Sequence, residues 1–166
     1  MKIIFIGDIV GKSGREALST SLNDLKEKFK PDVIIANAEN AASGYGLTKK
    51  IANELFDQGI NVLTLGNHAW DQREMLSYIE ECPKIVRAIN YPKGVPGKGE
   101  FKIILNDGRS LIVIQTMLRL FMGMHLDDPF AAISNRLSSE YLGTSCNGIF
   151  IDLHGEATSE KNAFAH

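Results

Sequence analysis

The chain has 166 residues, with 18 basic and 20 acidic side chains for a formal net charge of -2, and 44% hydrophobic against 23% charged residues. That is ordinary usage for a soluble globular domain, and a chain of this length can bury one core without disulfides or a structural metal. No run of roughly eighteen apolar residues offers a membrane span, and no Lys/Arg stripe offers an electrostatic footprint for nucleic acid. Cys82 and Cys146 form no Cys-x-x-Cys motif and are expected as reduced thiols. The N-terminal Lys2 and the short run Ile3 to Ile6, interrupted by Asp8, lack the features of a signal peptide, so a cytoplasmic location is expected.

Lys2-Ile3-Ile4-Phe5-Ile6 reads as a buried strand ended by Gly7, followed by a loop to Gly14 and a helix over Arg15 to Phe29, whose Leu18, Leu22, Leu25 and Phe29 share one face. The unit recurs with the strand Val33-Ile34-Ile35, a loop from Asn37 to Gly46, and a helix from Lys49 to Gln58 capped by Thr48 and closed by Gly59. It recurs again with the strand Asn61 to Leu65, the loop Gly66 to Trp70, and a helix reaching about Glu81, for which Asp71 is the expected cap. Three strand-loop-helix units predict a parallel α/β sheet whose post-strand loops gather along one edge, where ligands bind. Asp8, Glu39, Asn40, Asn67 and His68 all fall on that edge.

Asn90 to Gly99 reads as loop. Phe101 to Leu105 and Ser110 to Gln115 are strands joined by the hairpin turn Asn106-Asp107-Gly108-Arg109. The apolar run Met117 to Met124 reads as core, and Arg119 as either a phosphate contact or a surface ion pair. Asp127-Asp128-Pro129 opens a helix over Phe130 to Tyr141. Gly148 to Leu153 is a further strand with His154 at its end, and Thr158 or Ser159 is the expected cap of a last helix.

Gly7-Asp8-Ile9-Val10-Gly11-Lys12-Ser13 lies between strand and helix as a phosphate-binding loop would, but that pattern requires glycine where Ile6 stands. Three readings stay open for this segment: a shortened phosphate loop, a plain glycine turn, and Asp8 as a ligand, the last being favoured. A carboxylate directly after a buried strand needs a cation or hydrogen-bond donors. Asn37-Ala38-Glu39-Asn40 and Gly66-Asn67-His68 add oxygen and nitrogen donors suited to manganese, iron(II) or zinc. Each residue alone has a plain explanation, since Asn and Asp favour such turns. Four strands ending in metal-capable side chains are harder to assign to turn preference.

Gly7-Asp8-Ile9-Val10-Gly11, Asn37-Ala38-Glu39-Asn40-Ala41-Ala42, Gly66-Asn67-His68-Ala69-Trp70-Asp71 and the block Ile151 to Lys161, which contains Glu-Ala-Thr-Ser-Glu-Lys, resemble the YmdB-like branch of the calcineurin-like metallophosphoesterases. The resemblance runs essentially end to end and implies an α/β/β/α sandwich. It implies two divalent metals, one held by Asp8, Glu39 and Asn40, the other by Asn67 and His154, with Glu39 bridging. It also implies His68 as general acid in metal-hydroxide attack on a small phosphodiester such as 2′,3′-cyclic AMP. In this branch a Gly-Thr-His-Thr-His segment beyond the position of His154 completes both metal shells. The chain reaches only His166, so a single domain lacking its C-terminal strands and one ligand per metal is expected. Gln115 and Leu118 stand where the branch usually has Asn and Gly. Exposed apolar surface would favour a homo-oligomer, and the competing expectation is an impaired remnant acting as a metal-binding or regulatory protein.

Overall fold

The computed structural model describes every residue, Met1 to His166. Four parallel strands, β1 (Ile3–Ile6), β2 (Val33–Asn37), β3 (Val62–Thr64) and β4 (Ile85–Val86), lie side by side in chain order. Consecutive parallel neighbours joined by right-handed crossovers put every connecting helix on the same face. That face carries α1 (Gly11–Phe29), α2 (Lys49–Asp57) and α3 (Met75–Glu81). Leu18 and Leu22, Ala52 and Leu55, and Met75 and Ile79 pack there against Ile34, Ala36 and Leu63.

The second sheet has the order β5-β6-β7, with β5 (Glu100–Ile104) antiparallel and β7 (Gly148–His154) parallel to β6 (Ser110–Met117). Side chains two apart share a sheet face, and both sheets use this alternation. Val33, Ile35 and Val62 of the first sheet meet Leu111, Val113 and Phe150 of the second. Ile112, Ile114, Ile149 and Ile151 point the other way, onto Ile133 of α4 (Pro129–Leu137) and Phe164 of α5 (Thr158–Ala165). The layers are therefore α/β/β/α, as the resemblance implied, and no helix is long and apolar enough to cross a membrane.

Two caps stand where their side chains predict. Thr48 accepts the Ile51 N–H at 3.2 Å, and Asp128 accepts from Phe130 and Ala131 ahead of Pro129. Other expectations need correction. β1 is an edge strand and only half-buried, with Phe5 41% exposed. α1 begins at Gly11, four positions before the Arg15 start expected from the sequence. α3 begins at Met75, without Asp71 as its cap. α4 ends at Leu137, and α5 starts after Ala157 with no side-chain cap. Within Met117 to Met124 only Met117 and Leu118 are buried, and Phe121 is 87% exposed. Arg119 lies 3.8 Å from Asp128, which makes it the surface ion pair. Both cysteines are free.

Candidate metal centre

The C-terminal ends of β1, β2, β3 and β7 point to one place. Ladder pairing continues beyond the strands, with the Ile9 N–H on Asn37 O, Ala38 on Thr64, Gly11 on Asn40 and Leu118 on His154, at 2.8 to 3.1 Å. These bonds carry the register into the loops, so the loop side chains are placed by the sheets. A cavity of about 400 Å³ opens there, lined by Asp8, Glu39, Asn40, Asn67, His68 and His154 together with Gly155, Glu156 and Lys161. All six residues singled out in the sequence are brought together.

Polar side chains underlie this cavity. Between the sheets the apolar alternation of β2, β3, β6 and β7 gives way at its upper end to Asn37, Thr64, Gln115 and Asp152, all buried. Asp152 accepts from Thr64 Oγ1 at 2.5 Å and from Asn37 Nδ2 at 3.2 Å. The Asn37 side-chain Oδ1 in turn receives the Glu39 N–H at 3.2 Å. Glu39 is thereby set at the cavity floor, 3% exposed.

Each Glu39 oxygen has its own neighbour. Oε1 lies 3.1 Å from His154 Nε2 and Oε2 accepts the His68 N–H at 3.0 Å. His154 Nε2 is also 3.0 Å from Asn67 Oδ1. A single ring nitrogen so faces two oxygen acceptors. Across the cavity Asn40 Nδ2 donates to both Asp8 oxygens, at 3.0 and 2.9 Å, while Asn40 Oδ1 is buried with no partner. Asp8 is exposed, at the end of a strand that is itself only half-buried, and it finds its hydrogen-bond donor in Asn40. Burial pushes the Glu39 carboxyl above its ordinary range, although His154 and the His68 N–H pull the other way.

No three His, Cys, Asp or Glu side chains cluster tightly enough to hold a metal ion alone. The donor set depends on carboxamides, and its chemistry fits a cation. An orphaned carbonyl oxygen, a desolvated carboxylate and an imidazole nitrogen facing two acceptors are all groups whose burial costs free energy until positive charge is supplied. Mixed oxygen and nitrogen donors suit a borderline divalent ion.

Gly66 makes this approach possible. A Cβ there would collide with the Glu39 carboxylate and sit 2.6 Å from His154 Cε1. Gly66→Ala is therefore expected to spread Glu39 and His154 apart and to weaken metal affinity at least tenfold, read by competition with a chromogenic chelator. Wild-type affinity in this variant would contradict the placement.

His68 is not among the convergent donors. Its Nδ1 is 2.6 Å from Asp71 Oδ2, and its ring meets Tyr45 edge-on with centroids 5.2 Å apart. Asp71 thus positions the imidazole instead of capping α3, a role that its residue type did not distinguish from a cap. Asp71→Asn is expected to alter the ¹⁵N NMR tautomer signature of His68. An unchanged signature would make Asp71 merely structural.

Lys12 points away, pairing with Glu16 on the exposed face of α1, and Gly11 closes onto Asn40 O. The glycine segment is a turn into the helix that brings no lysine of its own to the cavity, which removes the phosphate-loop reading.

The sequence and fold have relatives. A 2′,3′-cyclic-nucleotide 2′-phosphodiesterase of Bacillus subtilis is 44% identical over 163 residues, 98% of this chain and 60% of that protein. The crystal structure of a hypothetical protein from Thermus thermophilus superposes with a TM-score of 0.90 at 40% identity, covering all of this chain and 62% of that one. A novel phosphatase from Mycoplasma pneumoniae gives 0.88 at 31% identity, covering 99% and 59%. This chain spans about three fifths of the length of each. The family model described as YmdB-like protein matches residues 4–166, a range that takes in every strand end at the cavity, and the chain accordingly belongs to the YmdB-like family.

Proposed function

We propose that this chain forms a metal-dependent phosphodiesterase centre acting on small phosphodiesters, 2′,3′-cyclic nucleotides foremost. Asp8, Glu39 and Asn40 would hold one divalent ion of manganese, iron or zinc type. Glu39 would bridge to a second, held also by Asn67 and His154. The observation that supports this best is the placement of Glu39, buried beneath the cavity with one oxygen toward His154 and the other on the His68 backbone. The name of the Bacillus relative supports the substrate class.

Such cations supply charge to stabilise the phosphoryl oxygens in the transition state and make a water molecule more acidic. The protein side chains do the rest. Asp71 takes the Nδ1–H of His68, which leaves Nε2–H free to donate its proton to the leaving oxygen as the P–O bond breaks. The Asp71 carboxylate balances the charge of the protonated ring. Asn37, Thr64 and Asp152 hold the cavity floor in place.

Turnover of 2′,3′-cyclic AMP and bis-p-nitrophenyl phosphate by the manganese-loaded chain, with its metal content, tests the reading. Near two equivalents of metal and turnover abolished by a chelator are expected. One equivalent or none with no turnover would favour the metal-binding or regulatory remnant.

A further inference from the structure

The block Glu156 to Lys161 contributes nothing to the donor set described above, yet Glu156 and Lys161 both line the cavity. Its geometry is well anchored. Glu160 is buried and accepts the backbone N–H groups of Arg119 and Leu120 at 3.0 to 3.2 Å, pinning the first turn of α5 beneath the segment that follows β6. Gly155 lies against Leu118 so closely that a Cβ would sit 2.6 Å from Leu118 Cβ. The link from His154 to α5 is therefore tight, and Lys161 is delivered to the cavity wall by packing.

Lys161 is the only lysine or arginine lining this cavity, which also carries the carboxylates of Asp8, Glu39 and Glu156. It is half-buried, and it joins none of the ion pairs of the chain. An anionic ligand entering beside three carboxylates gains most from a fixed positive charge. An ammonium offers three donors without the planar fork of arginine, so it can donate to a phosphoryl oxygen arriving from several directions.

We propose that Lys161 binds a non-bridging oxygen of the substrate phosphoryl group, and of the phosphate dianion that resembles the product, making it the anion-positioning residue of this cavity. The proposal rests on the phosphodiesterase reading for the identity of the substrate, and on the cavity alone for the anion.

The test is titration of inorganic phosphate into the manganese-loaded full chain, compared with Lys161→Ala and Lys161→Arg. Metal content is measured on each, and KM and kcat on a cyclic nucleotide. Loss of a charge-assisted hydrogen bond predicts phosphate affinity weaker by about tenfold or more in the alanine variant. The arginine variant should recover most of the affinity, and the effect on turnover should fall on KM more than kcat. Unchanged phosphate affinity in Lys161→Ala, loss of metal along with phosphate, or no phosphate binding by the wild type would each overturn the proposal. Lys161-dependent phosphate binding without diester turnover would instead sink the phosphodiesterase reading and leave this inference standing.

Discussion

His68→Ala is expected to lower kcat for a 2′,3′-cyclic nucleotide by roughly 10²–10⁴, the usual worth of a general acid, while metal content stays at the wild-type level. The separation follows from the geometry. His68 touches Glu39 through its backbone N–H, which alanine keeps, and its imidazole is committed to Asp71. The loss should shrink for a substrate whose leaving group needs no proton, so bis-p-nitrophenyl phosphate should suffer less than the cyclic nucleotide. Equal losses on both substrates, or a variant stripped of metal, would assign the imidazole another role.

Glu39→Gln should have the opposite profile, losing metal and turnover together yet making the metal-free fold more stable. Burial holds the Glu39 carboxyl above its ordinary range. In that situation the native state binds the proton more tightly than the unfolded chain. Stability of the chelator-treated protein therefore falls as pH rises from the ordinary glutamate range through the raised native value. Glutamine is neutral at every pH and can still accept the His68 N–H, so it should remove that slope and raise the neutral-pH Tm of the metal-free protein. Thermal melts with chelator at acidic and neutral pH check this, and a variant less stable than wild type at neutral pH would argue against a charge penalty. Such a trade of stability for function is expected where a buried charge awaits its partner.

Much of this architecture is legible in the residues because side-chain period and turn chemistry are local. The three strand-loop-helix units, the hairpin around Asp107-Gly108 and the caps at Thr48 and Asp128 come from patterns a few residues long. β4 escapes because Ile85-Val86 is too short to show a period. α1 starts ahead of its apolar stripe because Gly11 is fixed by the Asn40 carbonyl, a contact distant in sequence.

The membership of the site was readable for a similar reason. In a parallel sheet the strand ends must share an edge, so Asp8, Glu39, Asn40, Asn67 and His68 had to approach one another, and His154 joined them through the second sheet. The supporting residues were not readable. Asp152, Asn37 and Thr64 meet across two sheets, with Asp152 far along the chain from both partners. Asp71 resembles any other helix cap until the turn from His68 brings it onto Nδ1. The exposure of Asp8 depends on how β1 sits at the sheet edge, which residue types do not specify.

The proposed function requires one cation-binding centre built from the strand ends around Glu39. Anomalous difference maps from crystals of the full chain soaked in manganese would locate it. Anomalous density is expected within coordination distance of the Glu39 carboxylate, flanked by Asp8 and Asn40 on one side and Asn67 and His154 on the other. Ordered protein with full manganese exposure and no anomalous density at Glu39 would contradict it.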